Sequence, residues 1–155
     1  MKTSPNGLTL IETNEGFCAT IKPDNIGSQI GFGHDLLPSE IAAGTYSNGI
    51  TMEGAVQLLI TDLTTRFEPI LNRLVPPNCT QNQYDACADF IYNEGSRNFA
   101  TMIHHGWNQV PVQMLAWVYA EEKGVLQKVP GLIARRQKEV ALFTQTSVTS
   151  SVIVG

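Results

Sequence analysis

The sequence lacks any apolar run long enough to cross a bilayer, which takes about 20 helical residues. Its N-terminal segment has one lysine and no hydrophobic stretch of the kind that forms a secretory signal. From this we expect a protein that begins in the cytoplasm, has no stable membrane anchor, and cannot use the ordinary export route alone.

Cysteine, histidine and clustered basic residues are also scarce. Three cysteines without a Cys-x-x-Cys spacing favour buried, reduced thiols. Three histidines, two of them adjacent at His104 and His105, argue against a zinc site, and no other metal or cofactor is implied. A net charge of −4, with no basic cluster beyond residues 135–138, disfavours binding to nucleic acid or to an anionic membrane.

What remains has the composition of an ordinary folded domain. With 155 residues, 43% of them apolar, the chain can bury a sizeable core as one domain. Glycine and proline are dense over residues 16–49, where no helical period persists, so two or three short strands joined by tight turns are predicted there. After residue 51 the apolar residues recur three and four apart, which predicts helices.

Local signals set the predicted helix bounds. A serine followed by proline predicts a first helix that starts at residue 5 and stops at Gly16. Thr51 is predicted to cap a long amphipathic helix that Pro69 kinks or splits. The capping box Thr80-x-x-Gln83 predicts a second long helix with a stop at Gly95. Three further helices are predicted, one capped by Asn98 and ending near 106, one over 110–124, and one from 130 to about 143.

These elements predict an α+β protein with a cleft between two lobes, the kind of place that pockets favour. The expected parts of the single domain are a hairpin lobe at about 14–50, a linking helix at about 51–75, a helical lobe at about 76–143, and a tail at 144–155.

Four blocks of sequence, in this order, resemble the phage-type lysozymes of glycoside hydrolase family 24. They are "NEGF" followed by Asp24 and "IGFGH", then "ITMEGAVQLLITDL", "TQNQYDACADFIYNEG" and "PGLIARRQKEVALF". Each block is weak alone, but the ordered set over residues 4–143 is specific. The resemblance implies a lysozyme-like fold and cleavage of the β-1,4 bond between N-acetylmuramic acid and N-acetylglucosamine in the glycan strands of peptidoglycan.

The resemblance also implies a biological role and its partners. A phage endolysin is expected to act as a monomer and to stay in the host cytoplasm until a holin releases it to the cell wall in the periplasm. A virion-associated or bacterial lysozyme would differ from it in biology rather than in chemistry, and the sequence leaves that choice open.

Glycoside hydrolysis needs two carboxyl groups, and the resemblance assigns both. Glu15 matches the general acid, at the end of the first helix beside the cleft, where partial burial would raise its pKa. Glu12 is a rival one turn earlier, but no glycine follows it. Asp24 matches the second carboxylate, carried by the hairpin. Taken without the resemblance, both could be solvated acids, one at a helix end and one in a turn.

Gln29 departs from the family pattern. The family usually has a threonine after the aspartate, which helps to place the attacking water, whereas here Gln29 follows Asp24 at an interval of 29 − 24 = 5, one shorter than expected. A glutamine amide can also orient water, but it is longer. A lytic transglycosylase, in which the muramic acid 6-hydroxyl attacks instead of water, is therefore an open alternative.

Other residues match supporting positions of the family. Arg135 matches an arginine that pairs with the catalytic glutamate. His34 and Asp62 match a pair that ties the hairpin lobe to the linking helix. The residues expected beside the substrate are Gly33, His34, Tyr92 and Asn93. Core packing explains Tyr92 equally well. A non-catalytic peptidoglycan-binding module is a third alternative, against which the presence of both Glu15 and Asp24 argues.

Overall fold

A computed structural model describes residues 1–23, 27–122 and 124–146. It is a mostly helical α+β protein, as predicted. Its helices are α1 (Pro5–Glu15), α2 (Pro38–Ala43), α3 (Met52–Asp62), α4 (Glu68–Leu74), α5 (Gln81–Ile103), α6 (Val110–Met114) and α7 (Pro130–Thr144). Its strands are β1 (Cys18–Pro23), β2 (Ser28–Gly31), β3 (His34–Asp35), β4 (Tyr119–Glu122) and β5 (Val125–Lys128).

Helix α1 begins and ends where the sequence predicts. The Ser4 hydroxyl accepts a hydrogen bond from the Gly7 amide, and Pro5 occupies the first turn, where its missing amide hydrogen costs nothing. Gly16 ends the helix with φ 72°, a conformation that favours glycine. Glu15 is thus the last residue of α1, and it faces the small sheet.

The small sheet is antiparallel, in the order β1-β2-β3, and Gln29 pairs with Lys22 on one side and with Asp35 on the other. The predicted two or three short strands are therefore present. Sequence analysis missed α2, which follows the sheet. A proline begins α2, and the Glu40 carboxylate accepts a hydrogen bond from the Leu37 amide at 2.8 Å.

The long helix after Thr51 is split, as predicted. Thr51 caps α3 by accepting a hydrogen bond from the Gly54 amide at 3.1 Å. A wide π-helical turn, Leu63–Phe67, separates α3 from α4. Pro69 lies in the first turn of α4 and has no amide hydrogen to give to the preceding turn, so the regular bonding pattern breaks just before it.

Helix α5 breaks at Gly95, as predicted, and the chain then resumes a helical path to Ile103. Thr80 and Gln83 form the capping box at its start. Gly95 has φ 80° and ψ 167°, which is not helical. The prediction that Asn98 caps a new helix is wrong, because Asn98 lies inside the resumed segment and its side-chain amide donates to Glu94 at 3.3 Å.

The predicted helix over 110–124 is also wrong in its second half. Helix α6 ends at Met114, and β4 and β5 then form an antiparallel hairpin. Gly124 has φ 80° at the turn, and a backbone bond from the Val129 amide to the Val118 carbonyl closes the base of the hairpin. Helix α7 begins at Pro130 as predicted. Most of the expected tail, residues 147–155, lies outside the described residues.

Helix α5 is the centre of the core, and α1, α4, α6 and α7 pack around it. Its fully buried face carries polar as well as apolar side chains, which include Asp85, Asp89, Phe90 and Ile91. Among the described helices, none is both long and apolar enough to span a membrane.

Candidate active site

Glu15 projects from the end of α1 into a cleft of about 250 Å³, lined also by Lys22, Gln29 and Gly33 of the sheet region. About 20% of its side chain is exposed. Burial raises the pKa of the Glu15 carboxyl above its ordinary value, against the opposing effect of the Arg135 guanidinium. A carboxyl with a raised pKa beside a cleft keeps its proton to higher pH than an ordinary glutamate, which suits a general acid.

The Arg135 side chain links this carboxyl to that of Asp89. Its Nη1 donates to Glu15 Oε1 at 2.7 Å. Its Nε and Nη2 donate to the two carboxylate oxygens of Asp89, at 2.9 and 2.8 Å. The predicted contact of Arg135 with Glu15 is therefore present. Asp89 was missed, although its spacing of four from Asp85 in an otherwise apolar stretch was a usable signal.

Gly33 lies directly against Glu15. It has φ 81°, and a Cβ atom at this position would stand 2.9 Å from Glu15 Oε2. The backbone between β2 and β3 therefore limits where the carboxyl can go. Arg135 on one side and Gly33 on the other fix the acid between them.

Gln29 lies on β2 in the same cleft, whereas Asp24 lies outside the described residues. The Gln29 amide nitrogen donates to the Asp35 carboxylate at 2.9 Å, across β2 and β3. This leaves Gln29 Oε1 as a group that can accept a hydrogen bond from water. Asp35 also contributes, as the smallest cause, to the raised pKa of Glu15.

His34 is clamped by two carboxylates. Its Nδ1 lies 2.7 Å from Asp62 Oδ2, which is the predicted contact, and its Nε2 lies 2.9 Å from Glu40 Oε2. The hydrogen bond to Asp62 raises the pKa of His34, with a smaller contribution from Glu40. Glu40 was missed because α2 was missed. Both ring nitrogens are engaged with protein, so contact of His34 with substrate remains a prediction.

Tyr92 and Asn93 are both engaged by protein atoms. The Tyr92 hydroxyl donates to the Phe32 carbonyl at 2.8 Å, and its ring packs against Phe67. The side-chain oxygen of Asn93, Oδ1, accepts a hydrogen bond from Arg136 Nη2. For Tyr92 these contacts favour packing, and for both residues a contact with sugar remains a prediction.

The sequence and the fold both match known proteins. The phage lysozyme family model matches residues 12–139. The endolysin of Acyrthosiphon pisum secondary endosymbiont phage 1 is 31% identical over 150 residues, covering 92% of this chain and 98% of its own. The endolysin of Salmonella phage P22 is 31% identical over 147 residues, covering 92% of this chain and 98% of its own.

Two solved structures extend the match to three dimensions. The muramidase domain of SpmX from Asticaccaulis excentricus superposes with a TM-score of 0.75 at 29% identity, over 94% of this chain and 99% of that one. A mutant of P22 lysozyme gives 0.71 at 28% identity, with the same coverage. The chain is thus a glycoside hydrolase with a lysozyme fold. It belongs to the phage lysozyme family, as an endolysin that acts on peptidoglycan.

Proposed function

We propose that the protein is a muramidase that cleaves the β-1,4 bond between N-acetylmuramic acid and N-acetylglucosamine, with Glu15 as the general acid. The observation that carries the proposal is the Glu15 carboxyl itself, which is largely buried at the cleft and held by Arg135 at 2.7 Å with a raised pKa. One similar structure is described as a muramidase domain, which supports the same bond specificity.

In the proposed reaction Glu15 gives its proton to the glycosidic oxygen as the bond between that oxygen and the anomeric carbon of N-acetylmuramic acid breaks. An oxocarbenium-like transition state then needs an attacking group on the other face of the ring. Asp24 is proposed as the second carboxylate, and Gln29 as the side chain that orients a water through Oε1. Hydrolysis then yields a reducing muramic acid end.

A lytic transglycosylase is the second candidate, and the observation that favours it is Gln29. Its amide nitrogen is held by Asp35, and its side chain is longer than a threonine, so the water it orients need not sit where hydrolysis requires. Attack by the muramic acid 6-hydroxyl would use the same acid and release a 1,6-anhydro product.

The proposed cellular role follows that of phage endolysins. The protein would act as a monomer, accumulate in the host cytoplasm, and depend on a holin for access to the wall. Coexpression with and without a holin tests this dependence, because only the cells that express both should lyse.

Mass spectrometry of peptidoglycan digests tests the chemistry. Wild-type protein should release products with reducing ends, whereas only 1,6-anhydro ends would establish the transglycosylase. Glu15→Gln should lower the rate by about 10²–10⁴-fold, because the general acid is lost. Glu12→Gln, one turn earlier on α1, is the matched control and should cleave at the wild-type rate. Cleavage by Glu15→Gln at that rate would refute the assignment.

A further inference from the structure

A second layer of carboxyl groups lies beneath Arg135, at the contact of α5 with α7. Asp89 on α5 and Glu139 on α7 are both fully buried. Both carboxyl groups lie beside the same nitrogen, Arg135 Nε, which is 2.9 Å from Asp89 Oδ2 and 3.7 Å from Glu139 Oε1, and their interaction raises the pKa of Glu139 in addition to the larger effect of burial. Two ionised carboxylates at such a distance in a dry interior would repel strongly, whereas one proton between them turns the repulsion into a hydrogen bond.

The hydrogen-bond geometry around Glu139 also favours a protonated carboxyl. Neither of its carboxyl oxygens receives a hydrogen bond from a protein donor. Arg136 Nη1 lies 3.2 Å from one oxygen but is not aligned to donate, and Arg135 Nε lies 3.7 Å from the other, beyond hydrogen-bonding distance. Arg136 has a second carboxylate partner, since its Nη2 lies 3.8 Å from Glu94. A buried carboxylate without a donor is costly, and a protonated carboxyl that donates to Asp89 is not.

The charges at this interface also balance best with a neutral Glu139. The ionisable groups that face it or its partners are Glu15, Asp35, Cys87, Asp89, Glu94, Arg135 and Arg136. The exposed Lys138 reaches Asp89 only through Asn14, which bonds both. Helix α6, which also packs on α7, has no ionisable side chain. The two buried arginines are already matched by the carboxylates of Asp89 and Glu94, before Glu15 is counted. An ionised Glu139 would therefore be a buried negative charge in excess.

We propose that Asp89 and Glu139 share one proton, carried by Glu139, and that this pair is a positioning unit that holds Arg135 against the general acid. Asp89 then accepts from Arg135 with both oxygens, and with Oδ2 also from the Asn14 amide at 3.0 Å, while Arg135 Nη1 donates to Glu15. Burial raises the pKa of Glu139 well above its ordinary value, in agreement with this arrangement. The positioning role rests on the proposed function of Glu15, but the shared proton does not.

The pH dependence of unfolding tests the shared proton without any activity. Glu139→Gln keeps the shape and an N–H donor but cannot titrate. The folded wild type holds a proton that the unfolded chain loses above about pH 4.5. Its unfolding constant, relative to that of Glu139→Gln, should therefore rise about tenfold per pH unit from pH 5 upward, until Glu139 ionises in the folded state.

Glu53→Gln, at an exposed glutamate of α3, is the matched control, and the pH dependence of its unfolding constant should parallel that of wild type. Parallel curves for Glu139→Gln and wild type would overturn the proposal. A Glu139→Gln chain that cannot fold would also overturn it, because glutamine is the closest mimic of a protonated glutamate.

The pH profile of kcat/KM tests the positioning role. In Asp89→Asn the Arg135 charge is no longer offset by a carboxylate, so it acts more strongly on Glu15, and the alkaline limb should move to lower pH by one unit or more. A limb at the wild-type pH would refute the positioning role. These outcomes are separate from the failure of the proposed function, which would appear as full activity in Glu15→Gln.

Discussion

At the scale of single residues, the candidate site depends on opposing effects on one carboxyl. Burial of Glu15 raises its pKa, while the adjacent Arg135 lowers it, and burial is the larger effect. A catalytic acid needs burial to be the larger effect, because a larger effect of the arginine would favour the ionised form of Glu15. Arg135 is nevertheless useful, because it fixes the direction of the carboxyl through a 2.7 Å hydrogen bond.

Gly33→Ala should reduce catalysis more than it reduces stability. The added Cβ would come within 2.9 Å of Glu15 Oε2, so the carboxyl must shift, and φ 81° adds a backbone strain of about 1–3 kcal/mol. We expect kcat to fall by at least about tenfold, since small misplacements of a catalytic group are costly. Gly124→Ala has the same positive φ with no atom within 4 Å, so it isolates the strain. Equal kcat values for the two folded variants would contradict the prediction.

His34→Ala should lower stability more than catalysis per folded molecule. It leaves Asp62, whose side chain is only 6% exposed, without its main partner, at a cost of about 3–5 kcal/mol if no water compensates. The pKa of His34 is raised, so its charged form should stabilise the fold fully below about pH 6.5 and lose that effect as pH rises through the folded pKa. Thermal unfolding of both proteins from pH 5 to 9 measures this. A melting temperature unchanged by the substitution would disprove the predicted role.

At the scale of elements, helix starts were predictable because their signals are local. Ser4, Thr51 and Thr80 each accept a hydrogen bond from the amide three residues onward, and this depends on nothing distant. The second half of the predicted 110–124 helix failed because its apolar residues fit either period. There a tight turn at Gly124 and the pairing of two strands decided the structure.

The site was predictable only in part, for a similar reason. Glu15 and Arg135 lie in blocks that resemble a known family, so their pairing could be inferred. Asp89 lies 46 residues from Arg135 in sequence, on a helix face that only packing brings to it, and Glu40 lies on α2, which the sequence analysis missed. The spacing of Asp89 from Asp85 in an apolar stretch was a local signal of a buried acid, but it could not show that the partner is Arg135.

Gly95→Ala should destabilise the protein by about 1–3 kcal/mol. Gly95 has φ 80° and ψ 167°, a region that other residues rarely occupy, and no atom lies within 4 Å of the added methyl, so the cost is that of the backbone alone. Gly131→Ala in the first turn of α7 is the matched control. Its site is equally open and has no positive φ, so alanine should be neutral or stabilising by up to about 1 kcal/mol. Urea unfolding of both variants measures the difference, and a stable Gly95→Ala would refute the account of the break.

At the scale of the whole molecule, the net charge of −4 does not describe the surface by itself, because five acids are buried together with two arginines: Asp62, Glu68, Asp85, Asp89, Glu139, Arg135 and Arg136. The basic cluster at 135–138 was the one candidate for attraction to an anionic wall. Arg135 and Arg136 are buried and paired with carboxylates, and only Lys138 of the three is exposed. This cluster therefore offers little positive surface, and its arginines serve the interior of the site.

Salt should accordingly not slow the digestion of isolated wall. The Debye length is about 8 Å at 0.15 M, so added salt screens charges on the protein from those on the wall. Between a negative protein and an anionic polymer this screening removes repulsion, and the rate should stay constant or rise. Lys138→Glu makes the charge more negative by two and should be slower than wild type at low salt, with the difference closing as salt increases. A steep fall of the wild-type rate with salt would mean that a positive surface elsewhere guides binding, and the argument from net charge would then fail while the assignment of Glu15 would not.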